Sequence, residues 1–587
     1  MAQDNNRRLA NVKTRQETGF DHVVSGLETG TPFGKREQRE TRPFFPGQEE
    51  ALRAELRKVG ELRRFASENP KKVKLLMEVF MSCKDVSGTV ERSVKDTLSV
   101  VDIYEIKQAL LNDAAIRRIL AADATSLEGV EMKEGGENCC CDENGSVERR
   151  LEASGTGSAG AVHGGIDPEF IPEDTSDLLD LLDPRKDRLP TFYVYDDFSG
   201  KLAELRARKK ELERGLRKIQ KARRDELKEE LGIVLTPKFD VVIPKSSDDL
   251  AKAKSSDKLT VSTEDYSSVT FVLAPDEETF DLLKQSEELE LEIENEEYLV
   301  LKELTARIAE HSGRMLGNFR RIGRLDFVLA KAVYAEKHGC VMPEITEDHR
   351  IEIINGRHLQ VEEILKSKGG EYCPISIELE RGVTCITGAN MGGKTVSLKL
   401  TGMIPLLAQY GYFVPAEKAV IGLSNFVQML IGDSQSVERG LSSFGSEMEE
   451  LKEILDHASA RSLILIDEIA SGTNPGEGLA LTRSLVDYLM KRDYIALITT
   501  HFETVTEREG VVNMQVRGLA DADFRKLDSE LRYANRRERI RIIGKYMDYR
   551  LSKVSGESRV PHDALNIAKM LGIDKEIIDG AGKYLIQ

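Results

Sequence analysis

The sequence predicts a multidomain chain in which an α/β domain follows long charged helices and a small β module. Three observations predict it. Short apolar, β-branched runs at Val383–Thr387, Leu463–Ile466 and Tyr494–Thr500 fit buried strands, and a helical stretch, Val396–Ala408, follows the first. Two long stretches, Lys201–Leu231 and Glu277–Glu310, have helical period and high charge. Between them, residues 233–275 break into β-branched runs. A chain of 587 residues is also too long for one core.

Composition narrows the class. Hydrophobic residues make up 40%, enough for globular folding, and no run approaches the ~18 apolar residues of a membrane span. The first residues, MAQDNNRRLA, have no apolar core of a secretory signal. Seven cysteines without paired spacing suit a reducing compartment, so a cytoplasmic protein with no membrane partner is expected. The net charge of −17 disfavours non-specific coating of nucleic acid but leaves room for a local basic patch.

In chain order, residues 1–123 carry helical signals at Glu49–Ser67, Lys71–Met81 and Tyr104–Leu120. Residues 124–188 are rich in Gly, Ser, Glu and Asp and read as a flexible insert. Cys139, Cys140 and Cys141 stand inside it. They are either an exposed thiol run or, with His163, a metal site, although three consecutive thiols crowd one ion. Lys201–Leu231 is basic and spans about 45 Å as a helix. It is either a nucleic-acid helix or one half of an antiparallel arm whose other half is the acidic Glu277–Glu310. Ile233–Leu235, Phe239–Ile243, Leu259–Ser262 and Ser268–Leu273 read as the strands between them. The lysines of this module are balanced by acids, which is unlike a dedicated phosphate clamp.

The chemistry concentrates after residue 380. Gly388-Ala389-Asn390-Met391-Gly392-Gly393-Lys394-Thr395 fits G-x-x-x-x-G-K-[ST], with a strand before it and a helix after it. Such a loop turns backbone N–H groups toward phosphates. Lys394 then supplies a charge to the β and γ phosphates of ATP, and Thr395 a hydroxyl for Mg²⁺. Downstream, a buried strand ends in Asp467-Glu468. Asp467 suits the Mg²⁺, and Glu468 suits the attacking water. The next strand runs into His501, which suits a γ-phosphate contact. Ser442 and Ser443 precede a helix and offer either an anion site or a plain cap.

The order GANMGGKT, AQYGYFVPAEKA, SSFGSEM, LILIDEIASGTNPGEGLAL, ITTHF resembles the MutS family of ATPases, most strongly over about 340–510. Phe413-Val414-Pro415-Ala416-Glu417-Lys418 and Asn390-Met391 are specific marks of that family. The resemblance implies an ABC-type P-loop ATPase domain at 337–550 and a helical core at 1–123. It implies lever helices at 189–232 and 276–336, a β clamp tip at 233–275, and a helical dimerisation element at 551–587. It also implies a homodimer with composite ATP sites. Ser442 and Ser443 would close on the partner's γ-phosphate, Asn390 would touch the phosphates, and Tyr372 would stack on adenine. The arms would clamp DNA. Departures are present: no stretch matches the family's Phe-x-Glu mismatch wedge or its connector domain, Ser471 and Leu441 stand at arginine positions, and Leu359 stands where proline is usual. SVERGLSSF and GTNPGEG look more like the second bacterial branch, though no nuclease domain is expected within these residues. The size and tail also resemble a MutS-like ATPase that reactivates an adenosylcobalamin-dependent lysine 5,6-aminomutase, so a protein client is the alternative to DNA. A degenerate motor that binds nucleotide without cycling is a third reading.

Overall fold

A computed structural model describes residues 8–122, 166–388, 393–432, 443–470, 472–519, 522–531, 535–554 and 563–585. The chain forms two compact units. One comprises Met1–Met81, Val162–Ile171 and Ile322–Gln587; the other comprises Ser82–Ala161 and Pro172–Arg321.

In the second unit, α1 (Gly200–Leu231) starts on the Ser199 side chain, which accepts from Leu202 N–H, and stops at left-handed Gly232 (φ 69°). Strands β1 (Asp240–Pro244), β2 (Leu259–Glu264) and β3 (Ser268–Leu273) follow, and α2 (Glu277–Glu310) opens on a reciprocal Asp276–Thr279 cap. The helices run antiparallel. Lys201 pairs with Glu296 at 3.0 Å, Arg206 with Glu297 at 2.6 Å, Lys209 with Glu290 at 3.1 Å and Arg223 with Asp276 at 3.3 Å. The basic stripe of α1 therefore faces acids of α2. The antiparallel sheet has the order β1-β3-β2. Its inner face buries Ile243, Val269 and Phe271 against Leu227, Ile233 and Leu235. Ile233 and Leu235 are thus core without lying in a strand.

The stretch after the insert is ordered earlier than composition indicates. In the first unit Phe170 is fully buried, and in the second a helix at Ser176–Leu182 buries Leu178 and Leu182. Apolar side chains at helical spacing outweigh the acidic composition there. Cys139, Cys140, Cys141 and His163 lie outside the described residues.

The first unit holds two sheets. Strands β4 (Glu344–Thr346), β5 (Ile351–Gly356), β6 (Ile375–Leu379) and β8 (Lys418–Gly422) form one, in the order β4-β8-β5-β6. The other combines β7 (Gly382–Thr387), β9 (Phe426–Ile431), β10 (Ser462–Asp467), β11 (Tyr494–Thr499), β12 (Val512–Gly518) and β13 (Asp548–Lys553) in the order β13-β12-β7-β11-β10-β9. All its pairings are parallel except β12 with β13. Every residue of β10 and β11 is buried, as in a parallel sheet covered on both faces. Helices α3 (Lys394–Gln409), α4 (Ser443–His457) and α5 (Pro475–Met490) connect the strands.

Two boundaries differ from the sequence reading. Residues 1–81 belong with the α/β unit rather than with a helical domain extending to 123. The N-terminal chain completes that unit's core: Leu9 C=O accepts from Val427 N–H at 2.7 Å, and Thr14 Oγ1 donates to Gln428 at 2.9 Å. The C-terminal helical element starts later than 551, because residues 551–553 belong to β13. Helices at Asp563–Leu571 and Lys575–Leu585 follow. No described helix is long and apolar enough to cross a membrane.

Candidate functional site

The parallel register brings the ends of β7, β10 and β11 to one edge of the sheet, where open α/β sheets bind ligands. Gly388 leaves β7 at φ 121° and Gly393 enters α3 at φ 82°, both in regions that favour glycine. Ala389, Asn390, Met391 and Gly392 lie outside the described residues.

Lys394, the first residue of α3, is buried at 4% exposure. Its ammonium reaches Gly388 C=O at 3.0 Å, Glu468 Oε1 at 3.2 Å and His501 Nδ1 at 3.2 Å. His501 Nε2 lies 2.8 Å from the same Glu468 oxygen. An ammonium only donates, so Nδ1 accepts, and the proton on Nε2 is donated to Glu468. Burial pushes Lys394 below the usual lysine range. The His501 hydrogen bond, together with Lys394, holds Glu468 below the usual carboxylate range against the effect of burial.

Beside this cluster Thr395 Oγ1 donates to Asp467 Oδ2 at 2.8 Å, and Thr499 Oγ1 donates to Asp467 Oδ1 at 2.5 Å. The Glu468 N–H is held by Thr499 Oγ1 at 3.0 Å. Glu468 itself has φ 51° and Ala470 φ 59°, left-handed conformations that side chains adopt at a cost and that concentrate at functional sites.

The structure thus brings together Lys394, Thr395, Asp467, Glu468 and His501. Ser442 lies outside the described residues, and Ser443 is described only as the first residue of α4. Tyr372 stands before β6, and burial of its hydroxyl pushes its pKa up to about 12 although the His358 backbone opposes the shift. Sequence reasoning missed Tyr549 on β13. Its ring packs on Gly393, where a Cβ would meet Cδ1 at 3.1 Å, and it lies beside Cys373. The β13 stretch DYRLSK is too polar to announce a strand. Thr499 was also missed, although it sits inside ITTHF.

Residues 384–585 match the family model described as MutS domain V. The chain is 35% identical over 289 residues to "Endonuclease MutS2" of Shouchella clausii (strain KSM-K16), covering 48% of this chain and 33% of that protein. Residues 384–585 therefore carry a MutS-type domain V. Other MutS relatives give the same picture. "Endonuclease MutS2" of Clostridium botulinum (strain Okra / Type B1) is 38% identical over 242 residues, 40% of this chain and 30% of that protein. "Endonuclease MutS2" of Geobacillus sp. (strain WCH70) is 32% identical over 312 residues, 52% and 36% respectively. The chain spans about a third of the length of these curated relatives. Domain V begins inside β7 and includes every described member of the cluster, from Gly388 to His501.

Proposed function

We propose that this chain is a MutS-family ATPase that hydrolyses ATP to ADP and phosphate and uses the cycle to clamp DNA. One observation carries the ATPase reading: a helix-terminal lysine, a carboxylate held ionised, and a histidine meet at the ends of adjacent parallel strands, beside a threonine–aspartate pair. A γ-phosphate arriving at the start of α3 would draw the Lys394 ammonium to itself, where backbone N–H groups and the helix dipole also favour an anion. Glu468, released from Lys394, would then accept a proton from the attacking water, with His501 keeping its carboxylate aimed. Thr395 Oγ1 and Asp467 Oδ2 converge to 2.8 Å, a hard-oxygen pair that fits Mg²⁺. Bound there, the ion would neutralise phosphate charge during transfer.

The composite site extends this reading. In a homodimer, Ser443 at the start of α4 and Ser442, which precedes it in sequence, would close on the partner's γ-phosphate, and Tyr372 and Asn390 would contact adenine and phosphates. Tyr549, packed on Gly393, adds an aromatic wall.

A second reading, a protein client such as an adenosylcobalamin-dependent lysine aminomutase, draws on charge. Lys201, Arg206, Lys209 and Arg223 of the arm are ion-paired, as are Lys245, Lys252 and Lys258 of the β module. Steady-state ATPase alone and with duplex, mismatched or branched DNA, at low and physiological salt, tests both readings, with Glu468→Gln as the control. DNA stimulation that weakens with salt supports the DNA clamp. Turnover indifferent to every DNA favours the protein client, and absence of turnover overturns the ATPase reading.

A further inference from the structure

The turn that follows Glu468 is held from two sides. On one side β11 fixes the Glu468 N–H through Thr499. On the other, Glu447 Oε1 accepts the Ala470 N–H at 3.1 Å. Glu447 is 7% exposed and Ala470 1% exposed, so water does not substitute for this bond. The same carboxylate borders the end of β9: a Cβ on Gly432 would stand 3.5 Å from Glu447 Oε1, 3.7 Å from Asp467 O and 3.8 Å from Glu468 O. Nearby on α4, Phe444 and Met448 pack on the cluster containing Ile469 and Ala470. A carboxylate buried in this setting is costly, and burial pushes Glu447 above its usual range. An apolar residue would pack there without that cost, so the carboxylate needs a purpose.

We propose that Glu447 is a positioning residue that holds the left-handed turn behind Glu468, and so ties the aim of the hydrolytic carboxylate to the placement of α4. Glu468 and Ala470 occupy backbone conformations that unconstrained residues leave. Thr499 pins only the start of that turn. Without the Glu447 acceptor the Ala470 N–H is buried and unpaired, and the turn relaxes. Glu447 lies one helical turn after Ser443, the first residue of α4. A shift of the α4 start caused by a ligand therefore reaches Glu468 through one side chain. This inference rests on the ATPase reading and deepens it: α4 becomes the element through which engagement of Ser443 at its start controls hydrolysis at the subunit's own glycine loop.

Glu447→Ala and Glu447→Gln in the full chain test it, read by kcat, ATP KM, fluorescent-nucleotide affinity and melting temperature. Glutamine keeps a carbonyl oxygen for Ala470 N–H; alanine does not. The expected result is a kcat about tenfold or more lower in Glu447→Ala, the scale of one buried donor left unpaired. Nucleotide affinity should stay within about twofold and the melting temperature within a few degrees, and Glu447→Gln should recover most of kcat. Wild-type turnover with an unaffected Glu447→Ala overturns this inference alone. Parallel loss of kcat, affinity and melting temperature in both variants overturns it in favour of a purely structural role. A wild-type chain without turnover overturns the ATPase reading and this inference with it.

Discussion

Lys394 and Lys331 stand at opposite ends of one helix. Lys394 is the first residue of α3, at the positive end of its dipole. Lys331 donates to Tyr410 C=O and Gly411 C=O, both at 3.2 Å, where α3 ends. Both lysines are buried and both meet a carboxylate, Glu468 at 3.2 Å and Glu55 at 3.5 Å. Their surroundings differ. The rings of Phe327 and Tyr412 each lie 4.5 Å from the Lys331 ammonium, and Glu55 is 9% exposed. Around Lys394, the Glu468 and His501 side chains are 29% and 40% exposed. A cation on a helix's C-terminal carbonyls is already complemented and adds stability. A cation at the N-terminus is poorly placed until an anion arrives, which is what a binding site requires.

The largest effect that sharpens this contrast is on turnover. Glu468→Gln should lower kcat by about 10²–10⁴-fold, the usual worth of a general base, while ATP binding survives. Lys394→Met should instead abolish measurable ATP affinity. Equilibrium nucleotide binding beside steady-state rates checks both, and a Glu468→Gln chain that turns over normally would remove the role given to that carboxylate.

Next in size is stability. Lys331→Met takes the buried ammonium from Glu55, which keeps Arg324 and the nearby Lys58, and breaking a buried pair from one side costs up to about 3–5 kcal/mol. Burial already pushes Lys331 down to about 8, and Lys331 and Arg324 hold Glu55 below its usual range despite burial. Lys394→Met, measured without nucleotide, should cost much less, since Glu468 keeps its His501 hydrogen bond and is partly exposed. Urea midpoints of the two variants test this. A larger loss for Lys394→Met would invert the comparison.

These two lysines also mark what the sequence could and could not reveal. Lys394 sits in a spaced motif whose chemistry is local, and the apolar centres of β10 and β11 announce buried strands, so the strand before the glycine motif, the helix after it and the Asp467-Glu468 end were legible. Lys331 carries no such signal. Its partners, Glu55, Tyr410 and Gly411, are distant in sequence, and nothing in a single chain pairs them. The same limit hid the place of residues 1–81 in the α/β unit, which depends on bonds such as Thr14 to Gln428. It also hid Tyr549, whose polar strand becomes an edge of the sheet only through pairing with β12. Glu447 was visible within SSFGSEM, but its partner Ala470 was not.

A pH profile probes the open cluster further. The His501 hydrogen bond is the largest cause of Glu468's lowered pKa, with Lys394 adding to it and burial opposing it. The carboxylate therefore stays ionised below its ordinary range, and activity that depends on it is lost only as pH falls through that lowered pKa. In His501→Ala the burial penalty remains while the main stabilising bond is gone. The acid limb of kcat/KM, normalised to each variant's own maximum, should move to higher pH. An unmoved limb would show that Glu468 does not govern it.

The smallest effect belongs to the arm, where opposite charges meet in a third setting. Lys209 and Glu290 approach to 3.1 Å with Glu290 59% exposed, so water screens the pair and both side chains lose rotamer freedom to form it. Lys209→Ala should cost at most about 1 kcal/mol, and the cost should shrink further at high salt. Denaturant melts of Lys209→Ala, Glu290→Ala and the double variant at two salt concentrations give the coupling directly. If the pair proves worth as much as Lys331 with Glu55, burial is not what separates the closed cluster from the surface, and the contrast between the two ends of α3 would need another cause. A small, salt-sensitive coupling instead assigns the arm's charges to register and neutralisation. The lysines and arginines of α1 would then be largely occupied by α2, which weakens the case for that helix face as a phosphate-binding surface.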